Sequence, residues 1–315
     1  MSNGGETVEI LMATYNGERY LKEQINSILA QTYTNWNLIV QDDCSTDGTP
    51  RLLLNYQKQY PGKITVIPNF KRFGSAQSNF FSLLFQSTAA YVMACDQDDV
   101  WLPNKIMLTM QKTHEMEKNS STSTPLLVHT DLAVTDAVLE TISPSLFYMQ
   151  KMDASRTALR QLLAQNIVTG CTMMVNRPLL DILGKKEPQG AIMHDWWLAL
   201  LVNCTGRIGF VDEPTILYRQ HGENAIGARN ARSLWHKLRL LRDLKQVRKN
   251  ITATYLQAQC FLELYEGVLN RDQRLLLTQY AGIPLKNKMN RCLTAWRLGT
   301  VKHGTVRKIS SIIYL

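Results

Sequence analysis

Tyr91-Val-Met-Ala-Cys95-Asp96-Gln97-Asp98-Asp99-Val100-Trp101-Leu102-Pro103 is the stretch from which the rest of the chain can be read. Five apolar residues, Tyr91–Cys95, predict a buried strand. Three carboxylates follow it within four positions, and carboxylates packed this closely repel one another. The simplest account is a solvated acidic turn. However, the buried strand before the acids and the Val-Trp-Leu-Pro after them argue against a loose loop. A divalent cation removes the repulsion, and oxygen ligands suit Mg2+ or Mn2+, ions that also bridge substrate phosphates.

Upstream the pattern alternates. Val8–Ala13 reads as a strand and Glu18–Gln31 as a helix with Leu21, Ile25, Ile28 and Leu29 on one face. Trp36–Val40 is a strand, Thr49–Tyr60 a helix ended by Pro61-Gly62, Ile64–Ile67 a strand and Ser75–Ser87 a helix. This βαβαβαβ order predicts an α/β fold with a mostly parallel sheet flanked by helices. Ligands in such sheets bind at the carboxyl ends of the strands, which selects Thr14–Asn16, Asp42–Asp47, Pro68–Phe73 and Asp96–Asp99. Downstream the expectations are a strand at 126–130, a helix at 154–165, a short apolar stretch at 171–175, a helix at 194–203, strands near 208–211 and 215–219, and basic helices from 230 to 300.

Gln41-Asp42-Asp43-Cys-Ser45-Thr-Asp47-Gly48 is the second acidic motif. Ser45, Thr46 and Asp47 suit the cap of the following helix. That leaves two acids at the strand tip, where a carboxylate can accept the imide N–H of uracil or thymine. The chain contains no GxxxxGK[ST], and no GxGxxG follows the first strand, which disfavours a P-loop kinase and a dinucleotide dehydrogenase.

These residues resemble a known family. Met12-Ala-Thr14-Tyr15-Asn16-Gly17-Glu18-Arg19-Tyr20-Leu21, Ser27-Ile-Leu-Ala-Gln31-Thr-Tyr, the Asp42–Asp47 motif and Asp96–Asp99 with Trp101 and Pro103 are similar to the family 2 inverting glycosyltransferases of GT-A (Rossmann-like) fold. Val168-Thr-Gly170-Cys171, His194-Asp195-Trp-Trp197, Asp212-Glu-Pro214 and Tyr218-Arg-Gln-His221-Gly-Glu-Asn224 extend the resemblance toward the bacterial rhamnosyltransferase branch that builds cell-wall and capsular polysaccharides. It covers about residues 1–225. It implies a nucleotide pocket lined by Thr14, Tyr15 and Glu18, with Asp43 on the base and Asp96 on the ribose. Arg72 and Asn79 would face the diphosphate or sugar, and Trp101 would be a further binding residue. Asp98 would hold Mn2+ or Mg2+ with Asp99 close by, and His221 would be a further metal ligand or a diphosphate contact. Asp195 would be the catalytic base. Trp196 and Trp197 are the substrate-binding aromatics, one of which packs in the core because helical neighbours point ~100° apart. A plain cap for Asp195 and a satisfied loop histidine for His221 are the competing accounts.

The implied reaction moves a sugar, L-rhamnose from dTDP-L-rhamnose, to a saccharide or lipid-linked saccharide acceptor. A UDP-hexose or UDP-N-acetylhexosamine donor is the nearest alternative. A nucleotidyltransferase is a more distant one, because residues 14–21 lack a Gly-rich, Lys-containing loop.

Charge is unevenly placed. Residues 1–228 carry −4 (18 Lys+Arg against 22 Asp+Glu) and residues 229–315 carry +13 (17 against 4). This predicts a catalytic domain over 1–228, with a nucleotide-sugar half to about 130 and an acceptor half over 131–228, followed by a basic helical extension over 229–315. Leu234, Leu238, Leu241 and Leu244 alternate there with cations. This suits either a helix packed on the domain, a helix docked on an anionic membrane surface or one joining copies in a homo-oligomer. No nucleic-acid-binding signature is present, so nucleic acid is not expected as a partner. Six cysteines without CxxC spacing point to a reducing compartment. The N-terminal residues do not read as a signal peptide, and the longest mid-chain apolar run, Trp196–Val202, is far short of the ~20 residues that span a bilayer. The expected place is the cytoplasm, peripheral on the inner membrane face.

Overall fold

The computed structural model describes residues 6–69, 71–221 and 244–304. Contacts divide the chain into two compact units. The first comprises Met1–Leu146, Thr169–Glu187 and Arg207–Ala228. The second comprises Phe147–Val168, Pro188–Gly206 and Arg229–Leu315.

The first unit is built on a sheet of nine strands among the described residues. β1 (Val8–Thr14), β2 (Trp36–Asp42), β3 (Ile64–Ile67) and β4 (Tyr91–Cys95) pair in parallel in the order β3-β2-β1-β4. Helices α1 (Glu18–Leu29), α2 (Thr49–Gln59) and α3 (Ala76–Gln86) make the crossovers. All five positions of β4 are buried. This is the continuous apolar run expected of a strand covered on both faces. Ser75 caps α3 by accepting from the Ser78 N–H (3.1 Å).

The sheet continues β4-β8-β6-β9-β5, with β5 at Val100–Trp101, β6 at Leu126–Thr135, β8 at Met174–Asn176 and β9 at Arg207–Arg219; β7 (Thr141–Ser143) adds to β6. The two strands expected near 208–211 and 215–219 are one. In β9, Val211 faces Thr130 and Pro214 faces Asp131, so Asp212-Glu213 form a bulge opposite β6, a place that tolerates a strand proline. α4 (Lys105–Lys118) and α7 (Arg177–Leu183) complete this unit, and α5 (Leu146–Gln150) begins at its edge.

The second unit is helical. The helix expected at 154–165 shrinks to α6 (Leu159–Ala164). Asp153 accepts the Ser155 N–H (2.9 Å) and hydroxyl (2.6 Å), a local turn that competes with the first helical turn. α8 (His194–Thr205), α9 (Leu244–Tyr265), α10 (Arg271–Ala281) and α11 (Lys288–Leu298) follow. Their core is aromatic. Trp197 meets Phe261 edge-on at 5.2 Å and donates its indole N–H to Tyr265 Oη (3.2 Å), while Tyr280 Oη bonds Thr254 (2.7 Å) and the Leu163 carbonyl (3.0 Å). The basic leucine-rich stretch falls mostly outside the described residues, as does Gly222–Asn224. No helix among the described residues is long and apolar enough to cross a membrane.

Candidate active site

The tips of β1, β2 and β4 lie side by side because the strands are parallel and adjacent. Three loops leave them, and side chains tie the loops together. Gln97 binds the Tyr15 backbone at both ends of its amide, accepting from the N–H (2.8 Å) and donating to the carbonyl (3.0 Å). Asn16, in the left-handed region at φ 48°, donates its N–H to Ser45 Oγ and accepts from Thr46 N–H (both 2.8 Å). Glu18 accepts from Gly48 N–H (2.8 Å) while Asp47 accepts from Glu18 N–H (3.1 Å), a reciprocal pair. A Cβ on Gly48 would stand 2.0 Å from the Glu18 carboxylate, so a side chain there would push Glu18 off the Gly48 N–H. Partial burial pushes the Asp47 carboxyl up, but hydrogen bonds from the Thr49 hydroxyl and from the Thr49 and Glu18 N–H groups outweigh it and hold it below the usual range.

Asp42 accepts from Thr14 Oγ1 (2.8 Å) and from Ser45 N–H and hydroxyl. Asp43 is buried and accepts the Phe73 and Gly74 N–H groups, thereby holding the loop that carries Arg72. Arg72 stacks its guanidinium 4.4 Å from the ring centre of Tyr15, which is exposed. Asn79 is 2% exposed and donates to the Gln41 carbonyl (3.0 Å), which ties it to the end of β2.

Past β4 the acids separate by environment. Asp98 Oδ2 lies 2.8 Å from His221 Nε2 across 123 residues of sequence, bringing together two residues expected to share a metal. Asp99 is fully buried, with Oδ1 accepting the Arg219 N–H (3.0 Å) and Oδ2 lacking any hydrogen-bond partner among the described residues. Burial, and then the charges of Asp98 and Asp96, push the Asp99 carboxyl well up. Asp96, Asp99 and Cys171 offer atoms within 4.8 Å of one another. Burial also pushes the Cys171 thiol well up. Below them the buried Lys105 ammonium sits 4.8 Å from the Trp101 ring centre. Desolvation lowers its pKa to about 8. Trp101 itself is buried beneath the acidic loop.

Arg219 organises this end of the unit, and reading the sequence did not single it out. Its Nε donates to the Asp98 carbonyl (2.9 Å), one terminal nitrogen to the Ala137 carbonyl (2.7 Å) and the other to Glu23. The guanidinium also stacks 4.5 Å from the ring centre of Tyr20, whose ring lies 4.8 Å from the His221 ring and 4.9 Å from the Arg19 guanidinium. Glu23, Tyr20 and Arg219 thus surround the Asp98–His221 pair. The available signal was a lone arginine two residues before the histidine.

The second unit carries the remaining expected residues. Asp195 stands in the first turn of α8 and accepts the Trp196 N–H (2.5 Å), the geometry of an acid at a helix start. Trp196 is half-buried, and its indole donates to the Leu162 carbonyl (2.6 Å). Trp197 is fully enclosed and belongs to the core, so of the two indoles only Trp196 keeps surface for a ligand.

The model of the glycosyl transferase family 2 domain matches residues 9–181, more than half of the sequence, and the chain belongs to that family. It is similar to RfbG, a dTDP-rhamnosyl transferase of Shigella flexneri, at 28% identity over 254 residues covering 76% of this chain and 82% of that protein. Among solved structures it is similar to S. aureus TarS 1–349 in complex with UDP-GlcNAc (TM-score 0.54, 15% identity, covering 97% of this chain and 90% of that one). It is also similar to the mannosyltransferase PcManGT from Pyrobaculum calidifontis in complex with GDP-Man and Mn2+ (TM-score 0.50, 18% identity, 95% and 86%). The fold is therefore GT-A, with a mostly parallel sheet between helices.

Proposed function

We propose that the chain transfers L-rhamnose from dTDP-L-rhamnose, with inversion, to a saccharide or lipid-linked saccharide acceptor in cell-surface polysaccharide synthesis. The observation that carries the reading is the Asp98–His221 pair at the tip of β4, beside the loops that Gln97, Asn16 and Glu18 stitch together. The likeness to RfbG over most of both chains favours the rhamnosyl donor.

A carboxylate oxygen and an imidazole nitrogen fit Mn2+, and Mg2+ less well. Asp98 and His221 would hold the ion, with the unpartnered Asp99 Oδ2 behind them. Bound there, it would supply a positive charge for the diphosphate leaving group. The protein's own residues do the rest. Tyr15 and Arg72 offer an aromatic face and a cation to the nucleotide. Asp43 retains lone pairs for a base N–H beyond the two amides it holds. Asp195 takes the proton of the acceptor hydroxyl, and Trp196 offers the acceptor a ring face. A single base without an opposing nucleophile gives inversion. Residues 1–228 are the catalytic part in this reading, and 229–315 the basic extension.

The test is nucleotide release by the purified chain from dTDP-rhamnose, UDP-glucose, UDP-GlcNAc and GDP-mannose, with Mn2+ or with EDTA. Release of dTDP alone, silenced by EDTA and lowered ~10^3-fold in Asp98→Asn, is the expected result. Release of UDP would replace the donor, and an undiminished rate in EDTA would remove the metal.

A further inference from the structure

Helix α11 is fixed in register at both ends. Asn287 caps its start by accepting the Asn290 N–H (3.0 Å), and Gly299 ends it in the left-handed conformation. Ala295 marks its inner face, 2% exposed. Met289, Leu293 and Trp296 follow at i, i+4 and i+7, which places them within about 60° of one another on a helix turning ~100° per residue. Met289 is 77% and Trp296 71% exposed, and Leu285, one turn upstream, is 91% exposed. Arg291 turns back to the carbonyls of Pro284 and Lys286 (both 2.7 Å) and so stiffens the turn that presents Leu285. Three apolar side chains in water on one helix face, with Leu285 exposed on the turn before it, mark a surface that meets something apolar.

Charge identifies the partner. Lys286, Lys288 and Arg297 are exposed beside these side chains. Asp272 is the last acid in the chain, and residues 273–315 contain eight Lys and Arg with no Asp or Glu. A second copy docking by the same face would bring cations against cations with no acid to relieve them. An anionic bilayer meets both features. Tryptophan and aliphatic side chains settle at the headgroup boundary, and the cations meet lipid phosphates.

We infer that the Met289–Leu293–Trp296 face of α11, with Leu285 on the turn before it, is a membrane-docking surface for anionic lipid. It deepens the proposed function by placing the enzyme where a lipid-linked acceptor resides. The binding measurement itself needs no catalytic turnover, so the two can fail separately.

The test is co-sedimentation of the full chain with vesicles of phosphatidylglycerol and phosphatidylcholine in equal parts, and with phosphatidylcholine alone. Met289→Glu/Trp296→Glu changes only exposed positions, so its thermal midpoint should match the parent. The parent should bind the anionic vesicles, more weakly as salt rises, and the double variant should lose about tenfold in apparent affinity. The tryptophan emission of the parent should shift blue on binding, and that of Trp296→Phe should not. Equal binding by parent and double variant would overturn the inference. So would loss of binding only when residues 305–315 are deleted, or a dimer in lipid-free solution that the double variant abolishes.

Discussion

In the first unit the residues at the strand tips are held by polar side chains. Gln97 grips Tyr15, Asn16 grips Thr46, Glu18 grips Gly48, and Arg219 grips Asp98, Ala137 and Glu23. In the second unit Asp195 and Trp196 stand at the start of a helix that is held by an aromatic core of Trp197, Phe261 and Tyr265. A hydrogen-bonded loop depends on direction and distance, because a lost partner leaves a buried group unsatisfied. An aromatic core depends on volume and contact. Substitutions in the two units should therefore fail differently, the first in geometry and rate, the second in stability.

The sharpest break in that contrast would come from Trp197. Its indole is among the largest fully buried side chains. Trp197→Ala should cost about 4 kcal/mol of stability through lost burial and the cavity left behind, read as a lower denaturant midpoint. In the folded fraction, the affinity for donor nucleotide should stay within about twofold, since Tyr15, Asp43 and Arg72, which we propose meet the nucleotide, belong to the other unit. A large loss of nucleotide affinity with unchanged stability would reverse the assignment of the two units.

How much of this was legible in the sequence follows the same division. β1 to β4 and α1 to α3 were readable because apolar period, caps and breakers agree there, as at Ser75 and Pro61-Gly62. α4 was not readable, since its buried face carries Lys105, Thr109 and Thr113. The two threonines hide by bonding the carbonyls four residues back (2.7 and 2.8 Å), so a polar pattern covers a buried helix. Asp98 and His221 were paired through the family resemblance alone, since 123 residues separate them. Arg219 was missed because its meaning lies in Glu23, 196 residues away, and in two backbone carbonyls. Motif position does not report burial either: Trp101 and Asn79, both expected to meet ligand, are each 2% exposed.

Arg219→Ala tests the polar side of the contrast with a smaller effect. It leaves the Asp98 and Ala137 carbonyls without this partner and removes one face of the Tyr20 stack. The expected cost is about 2 kcal/mol of stability, but the rate should fall further, ~30-fold, because Asp98 and His221 lose the frame that aligns them. Arg219→Lys restores the charge without the planar fork. It should therefore recover stability better than rate, and the metal concentration needed for half activity should stay raised. If the lysine variant recovers both equally, Arg219 contributes charge alone and the first unit is less directional than its hydrogen bonds suggest.

Acid acts gradually and reaches both units at once. His129 in β6 and His194 at the start of α8 are both buried, and desolvation lowers each to about 3 from the ordinary 6.5. The unfolded chain takes up protons below 6.5 that the folded chain refuses, so each histidine's contribution is full above that pH. It is lost as pH falls toward 3, at about 1.4 kcal/mol per pH unit. Urea midpoints between pH 6.5 and 4.5 should fall, and His194→Gln should flatten the loss by about half. If the two units unfold separately, His194→Gln should shift only the transition that Trp197→Ala also shifts, and a His129→Gln variant only the other. One shared transition responding equally to both would mean that the aromatic core and the stitched loops melt as a single cooperative block, and the contrast between them would then describe function rather than folding.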